Sequence, residues 1–453
     1  MEKKIFGRDK WAVLLLFGLL GQLAWSVENM YFNVFVYETV APDLDTVTLM
    51  VQLSGITATV ATLFAGVFSD KVGNRRSFIS YGYIIWGVTV ALFGCLSPSL
   101  TESLFGVGAE RAVAITLVLV VVGDCVMTLF GSTANDAAFN AWVTDNTDSS
   151  YRGKVEGVLS ILPLIALLIV AGGFGILKDL MGYRNLFILL GALIVISGVI
   201  GVFKVRDADT LEKNGGMKDI FYGFTPSVVK KNIPLYVMLL IVMVYSIAFQ
   251  IFMPYLIIFM STYLGFSTIE YSVVFGGAIL LGAGVNLYLT RMSDSKDKTM
   301  LLYYGGGVLA LGLFLMYFTS MIEEKVALLI LFGIAGFVMI TGYIFATALC
   351  GSTVRDLTPT DAVGRFQGVR MVFSVLIPML IGPAIGNAIN RAQGIMLENP
   401  GADAMTTEYI PAPEILLAAG IGVLLMLALI PLLRRGMNGA ADKAADKAAD
   451  KEV

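Results

Sequence analysis

The chain has 453 residues, 57% of them hydrophobic and only 14% charged, with a mean hydropathy of +0.81 and no histidine. A soluble surface needs roughly a quarter of its residues charged, so several soluble domains are excluded and a polytopic membrane protein is indicated. A net charge of −3 without a basic tract argues against nucleic acid as a partner, and without imidazole there is no histidine metal ligation, proton relay or triad.

In chain order, residues 1–10 lead straight into a long apolar run and read as an uncleaved start. A membrane helix takes about 20 apolar residues. Apolar runs at 11–36, 48–68, 78–97, 113–142, 155–177, 185–203, 233–262, 270–290, 300–319, 326–349, 368–389 and 414–433 predict twelve such helices. Pro163, Pro254, Pro378 and Pro383 lie inside runs as candidate bends. Cys95, Cys125 and Cys350 also lie inside runs without ligand spacing, so neither a disulfide framework nor a metal site is expected.

Placing both termini in the cytoplasm puts 25 of the 31 lysines and arginines in internal segments and only five, Arg111, Lys178, Arg184, Lys325 and Arg391, outside. That asymmetry sets the expected orientation. The predicted organisation is an all-α membrane protein: a six-helix bundle over 1–204, a cytoplasmic linker at 205–232, a second six-helix bundle over 233–434, and a low-complexity tail at 435–453. The halves look related. Thr144-Asp145 precedes Arg152 and Gly157-Val158 after the fourth helix, while Arg355-Asp356 precedes Arg365 and Gly368-Val369 after the tenth, with an Asp-to-Gly spacing of twelve in both. A parallel repeat of this kind is the pattern of a two-bundle transporter.

An ionisable group at mid-bilayer is expensive, so one that is kept usually faces water or a partner. On the fourth helix Asp124, Thr128, Ser132 and Asn135 fall within about 80° of arc, with Asp136 some 40° further round and Asn140 beyond. On the first helix Gln22, Ser26, Asn29 and Asn33 fall within about 60°, with Trp25 at the edge and Glu28 about 100° away. Amides beside an indole suit a polyhydroxylated solute, whose hydroxyls need donors and acceptors while its C–H faces stack on aromatics. The same polar groups also fit as hydrogen-bonding glue between helices. Glu28 reads either as a proton site or as part of a buried ion pair. In the second half Tyr245, Gln250, Asn286 and Arg370 stand out, Arg370 either binding an acid or snorkelling to water.

The segment Gly66-Val67-Phe68-Ser69-Asp70-Lys71-Val72-Gly73-Asn74-Arg75-Arg76 joins a helix-ending glycine, an acid and a basic cluster. It resembles the conserved cytoplasmic-loop motif of the major facilitator superfamily. With the repeat, it gives a candidate cytoplasmic gate of Gly66, Asp70, Gly73, Arg75, Arg76, Asp145, Arg152, Asp294, Asp356 and Arg365. Asp136-Ala137-Ala138-Phe139-Asn140-Ala141-Trp142-Val143-Thr144 and Val244-Tyr245-Ser246-Ile247-Ala248-Phe249-Gln250 resemble the glycoside–pentoside–hexuronide:cation symporters of the melibiose-permease group, to which the sucrose:proton symporters are related. The resemblance implies that Asp136 serves cation and sugar binding. The acids that sodium-using members carry on the second helix are Thr62 and Ala58 here, a fifth-helix arginine falls among Ile161 and Leu162, and an aromatic beside the acid is Asn140.

The expectation is a monomeric secondary transporter of the bacterial cytoplasmic membrane that carries a sugar or glycoside with a proton, sodium being the other candidate ion. Asp136, Glu28 and Asp124 would couple, and Gln22, Trp25, Asn29, Asn33, Asn140, Tyr245, Gln250 and Arg370 would contact the solute. The alternatives are export of amphipathic or lipid-like compounds and a non-transporting receptor. No nucleophile–base pair or cofactor motif suggests an enzyme, and no cofactor is expected.

Overall fold

The computed structural model describes residues 7–147, 151–208, 221–293, 297–359, 366–396 and 409–452. They form the helices α1 Arg8–Thr39, α2 Leu44–Val72, α3 Arg75–Phe93 and α4 Ala109–Asn146, then a continuous 51-residue stretch Lys154–Lys204. At 1.5 Å per residue that stretch is about 75 Å long, more than twice a hydrocarbon core of about 30 Å. It divides at Gly182, whose φ of 76° and ψ of 159° are open only to glycine. The result is a hairpin of two spans, α5 over 152–181 and α6 over 183–204. The remaining helices are α7 Ile233–Tyr263, α8 Thr268–Ser293, α9 Lys298–Thr319, α10 Lys325–Leu357, α11 Gln367–Gln393 and α12 Glu414–Asn438. Among the described residues twelve spans follow, as the apolar runs predict.

Helix ends obey local chemistry. Gly73 ends α2 in the left-handed conformation at φ 66°, and the next residue, Asn74, caps α3 by accepting from the Ser77 amide. Ser97 caps a short helix, Pro98–Phe105, that lies between α3 and α4 and is not signalled by the apolar runs. Asp297 caps α9, and the Thr299 hydroxyl bonded to it holds its carboxyl below the usual carboxylate range. The expected linker contains a single turn at Tyr222–Phe224 and a short helix, Pro226–Lys231. The alanine-rich tail extends the backbone of α12 as helix to Glu452, in line with the helix propensity of alanine and lysine.

Among the described residues five spans contain a π-helical segment: Glu28–Phe32 in α1, Ser132–Phe139 in α4, Val170–Phe174 in α5, Phe259–Tyr263 in α7 and Val372–Leu376 in α11. Such widened turns are rare and concentrate at functional sites. In the six-plus-six repeat, α1 corresponds to α7 and α5 to α11, so four of the five occupy matching helices. Pro254 lies in a 3₁₀ turn, Met253–Tyr255, that interrupts α7.

Internal contacts divide the chain into two units, one of residues 1–217, 253–276 and 390–412, the other of 218–252, 277–389 and 413–453. In the first, α3 and α6 meet at glycines: a Cβ on Gly191 would stand 2.4 Å from the Gly87 carbonyl oxygen. The C-terminal end of α7 also belongs to this unit. Its Pro254 carbonyl accepts from Asn33 Nδ2 at 3.4 Å, and the Tyr255 hydroxyl lies 2.7 Å from that of Thr48. Arg391 forms a two-pronged pair with Asp45, and Glu38 accepts from Lys178 Nζ at 3.2 Å and the Tyr183 hydroxyl at 2.8 Å. In the second unit a Cβ on Gly312 would stand 2.3 Å from the Met339 nitrogen, and one on Gly342 2.3 Å from the Leu309 nitrogen, so α9 and α10 pack backbone to backbone.

Replacing Gly182 with alanine forces a side chain into a glycine-only conformation and is expected to destabilise by about 1–3 kcal/mol. Thermal unfolding of the purified protein should show a lower midpoint, whereas Gly66→Ala, with open space around the added methyl, should not lower it.

Candidate functional site

The polar residues of α1 and α4 converge inside the first unit and form two adjoining clusters. In the first, the Tyr83 hydroxyl shares its one proton between Asn135 Oδ1 at 2.8 Å and the Phe17 carbonyl at 2.9 Å, and Asn135 Nδ2 donates to Asp136 Oδ1 at 3.0 Å. Asn135 is thereby locked at both ends, and one oxygen of Asp136 is positioned as an acceptor. Gly21 makes the approach possible, since a Cβ there would stand 2.4 Å from Asn135 Oδ1. Trp25 packs on Trp86 with centroids 5.2 Å apart, and Trp86 meets Tyr83 edge-on at 5.4 Å, giving the cluster an aromatic wall.

Beside this cluster is a small cavity of about 90 Å³ lined by Gly18, Gln22, Asn135, Phe139, Asn140 and Leu162 among others. Gln22 and Asn140, expected to contact a solute, do share it. Asn140 Nδ2 donates to the Asp136 carbonyl at 3.1 Å, the first turn of helix after the π segment. Asn29 is exposed, bonded back to the Trp25 carbonyl at 2.7 Å, whereas Asn33 is buried and bonds the Asn29 and Pro254 carbonyls. Asn33 therefore works as a strut between helices.

The second cluster is built on two carboxyls. Glu28, 8% exposed, and Asp124, 1% exposed, face each other from α1 and α4. Glu28 Oε1 accepts from Ser54 Oγ of α2 at 3.0 Å and from Thr128 Oγ1 of α4 at 2.9 Å. Ser54 lies within hydrogen-bonding reach of Asp124 as well. Among the described residues the charged groups facing Glu28 are acids, and none of them is the basic partner that an ion pair needs.

Several of the residues expected to form a gate pair at helix ends. Arg75, at the start of α3, sets its Nε 3.1 Å from Asp145 Oδ2, at the end of α4, with only 6% and 27% of the two side chains exposed. Its Nη1 reaches Ser69 Oγ at 2.5 Å, and the Arg76 guanidinium bonds the Val202 carbonyl of α6. The second unit repeats the relation: Lys298, at the start of α9, sets its Nζ 2.5 Å from Asp356 Oδ2, at the end of α10. Asp294 and Arg365 lie outside the described residues, as do the side chains of Asp70 and Arg152.

Residues 14–383 match the family model described as the Major Facilitator Superfamily. The chain belongs to that superfamily. It is a transporter, and its fold is similar to that of the nucleoside transporter NupG, with a TM-score of 0.66 at 11% identity over 94% of this chain and 100% of that one. It is likewise similar to a bacterial homolog of the human lysosomal transporter Spinster, in its inward-facing, occupied conformation, with a TM-score of 0.64 at 13% identity over 94% of this chain and 96% of that one. At these identities the likeness concerns the fold. No curated protein matches the chain in sequence.

In the transporter's second unit, the Tyr245 hydroxyl is already engaged by the Tyr343 carbonyl at 3.1 Å and Thr347 Oγ1 at 2.5 Å, and Phe249 stacks on Tyr343 at 4.3 Å. Gln250 packs against Gly382, where a Cβ would stand 2.4 Å from its own. Asn286 bonds the Gly282 and Thr341 carbonyls, and Arg370 is exposed near the start of α11. Sequence reasoning missed Ser54, Tyr83 and Trp86. Its available signals were slight: a hydroxyl inside an apolar run, and two aromatics bracketed by glycines in Gly82-Tyr83-Ile84-Ile85-Trp86-Gly87.

The Arg75 guanidinium is buried and bonds both Ser69 and the partly exposed Asp145, whereas Lys298 and Asp356 pair at the surface. Arg75→Gln is expected to cost about 1–3 kcal/mol through its lost charge-assisted hydrogen bonds, while Lys298→Gln should cost about 0–1 kcal/mol. Thermal unfolding midpoints of the two variants should separate accordingly, and equal midpoints would refute the assignment of the buried lock to the first unit.

Proposed function

We propose that this transporter moves a sugar or glycoside together with a proton across the bacterial cytoplasmic membrane, as a monomer, by alternating access between bundles of residues 1–204 and 233–434. The observation that carries the reading is the placement of Asp136. It is held as an acceptor by Asn135 beside a cavity that also presents Gln22 and Asn140. An acid next to amides lets one rearrangement change both the carboxyl environment and the hydrogen bonding of a polyhydroxylated solute. The lysine and arginine asymmetry supports internal termini, and Glu28 and Asp124 complete the set of coupling acids. The fold neighbour NupG, a nucleoside transporter, adds nucleosides, which are themselves glycosides, to the solutes worth testing.

A second reading has one observation in its favour. A groove of about 470 Å³ in the first unit is lined by Val60, Phe64, Phe68, Phe78 and Leu129, with Lys71 at its rim. An apolar groove with one cation suits an amphipathic compound, and export of such compounds is the alternative function.

In de-energised cells overproducing the protein, external pH is followed while mono- and disaccharides, glycosides and nucleosides are added one at a time. The expected result is alkalinisation with one solute, abolished in Asp136→Asn while exchange of that solute persists. Normal accumulation by Asp136→Asn would sink the role of that acid. Silence across the panel, with outward movement of an amphipathic dye, would transfer the function to export.

A further inference from the structure

Along α2, Val60, Phe64, Phe68 and Lys71 fall within about 80° of arc, on one stripe that ends in a cation. With Phe78 of α3 and Leu129 of α4 they line the groove of about 470 Å³ in the first unit. Val60, Phe64, Phe68 and Leu129 are exposed, and Phe68 meets Phe78 edge-on with centroids 5.9 Å apart, an aromatic corner less than one turn before Lys71. The Lys71 side chain is exposed as well, and among the described residues no acid pairs with it. From Val60 to Lys71 the helix rises about 16 Å, close to half of a hydrocarbon core of about 30 Å.

We propose that this groove is the seat of a resident anionic phospholipid, one acyl chain lying along Val60, Phe64 and Phe68 and the phosphate resting at the Lys71 ammonium. The lipid belongs to the cytoplasmic leaflet in the orientation that the lysine and arginine asymmetry supports. Length, lining and charge select this occupant. An apolar trough one leaflet deep takes one acyl chain, whereas a partner helix crossing the membrane needs a face that runs through both leaflets. Among the described residues the lining on α2 begins at Val60, so the groove holds an amphipathic molecule without carrying it to the other leaflet. An ammonium with no partner at the headgroup end favours a headgroup of net negative charge over a zwitterionic one. Gly73 and Asn74, which follow Lys71 after one residue, form the turn that delivers Arg75 to Asp145, so the headgroup binds at the base of that clasp. The inference goes beyond the proposed function and is independent of which solute is carried.

The test uses purified full-length protein in vesicles of phosphatidylethanolamine and phosphatidylglycerol in equal parts. Mass spectrometry of the protein released from the vesicles reads the ratio of the two lipids it retains. Phe64→Trp places an indole in the groove, and brominated chains on one lipid or the other report by fluorescence quenching which of them lies there. The expected result is that phosphatidylglycerol is retained, and quenches, in excess of its bulk share. Lys71→Gln lowers that excess about fivefold, the worth of one basic residue at an anionic surface, and Lys71→Arg keeps it. Retention and quenching in bulk proportion, or an excess unchanged by Lys71→Gln, would overturn the proposal. So would an indole in Phe64→Trp that neither brominated lipid quenches, the outcome expected when a protein segment covers the groove. Both readouts are taken without solute or proton gradient, so their outcome stands apart from the uptake and dye-export assays that identify the cargo.

Discussion

Hydrocarbon offers no hydrogen-bond partner, so a polar group placed inside a membrane span gains most from pairing with another group of the chain. The interior of the first unit is organised by that constraint. Asn135 is held by Tyr83 and holds Asp136; Glu28 is held by Ser54 and Thr128; the Pro254 carbonyl, at the 3₁₀ turn in α7, accepts from Asn33. The close approaches that allow these bonds come from residues without side chains. Gly21 admits Asn135, and Gly87 and Gly191 bring α3 and α6 into backbone contact. Small residues and polar residues thus act as one device, the first setting the distance and the second using it.

The internal repeat is expressed in geometry as well as in sequence. In each unit the helix following the conserved-type loop begins with a base that pairs with the acid closing the next span, Arg75 with Asp145 and Lys298 with Asp356. The two pairs differ in burial. A guanidinium largely out of water and also bonded to Ser69 makes a specific clasp, whereas an ammonium and a carboxylate at the surface are free to separate. The first unit's helix ends are consequently the more firmly tied of the two.

Much of the fold was legible because a bilayer imposes a coarse rule: runs of about 20 apolar residues between charges are hard to mistake. The α5–α6 hairpin was legible as two runs, although helix continues on both sides of Gly182. The site was legible in its acids and amides and illegible in its partners. Ser54 and Tyr83 have no distinguishing pattern in α2 and α3, and only the approach of another helix gives them a role. The stripes on α1 and α4 assume a constant 100° per residue. That assumption fails within Glu28–Phe32 and Ser132–Phe139, where π turns change the rotation per residue through the very residues of interest. Asn33, placed by arithmetic beside Gln22, turns its Nδ2 to a carbonyl of α7.

The π segment of α4 has a consequence for the register of everything beyond it. A widened turn accommodates more residues than an α turn of the same rise, so it works as a vernier that sets the rotation of the following half-helix. If one residue were deleted between Ser132 and Phe139 and the segment relaxed to regular helix, the stretch through Asn146 would turn by about 100° relative to the half that carries Asp124. Asp145 would swing off Arg75, and Trp142 would leave the Arg206 carbonyl to which its indole donates. The phase between the buried acids and the clasp at the helix end is therefore encoded in the length of one irregular segment, where a single-codon change would reset it without altering the polarity of any side chain.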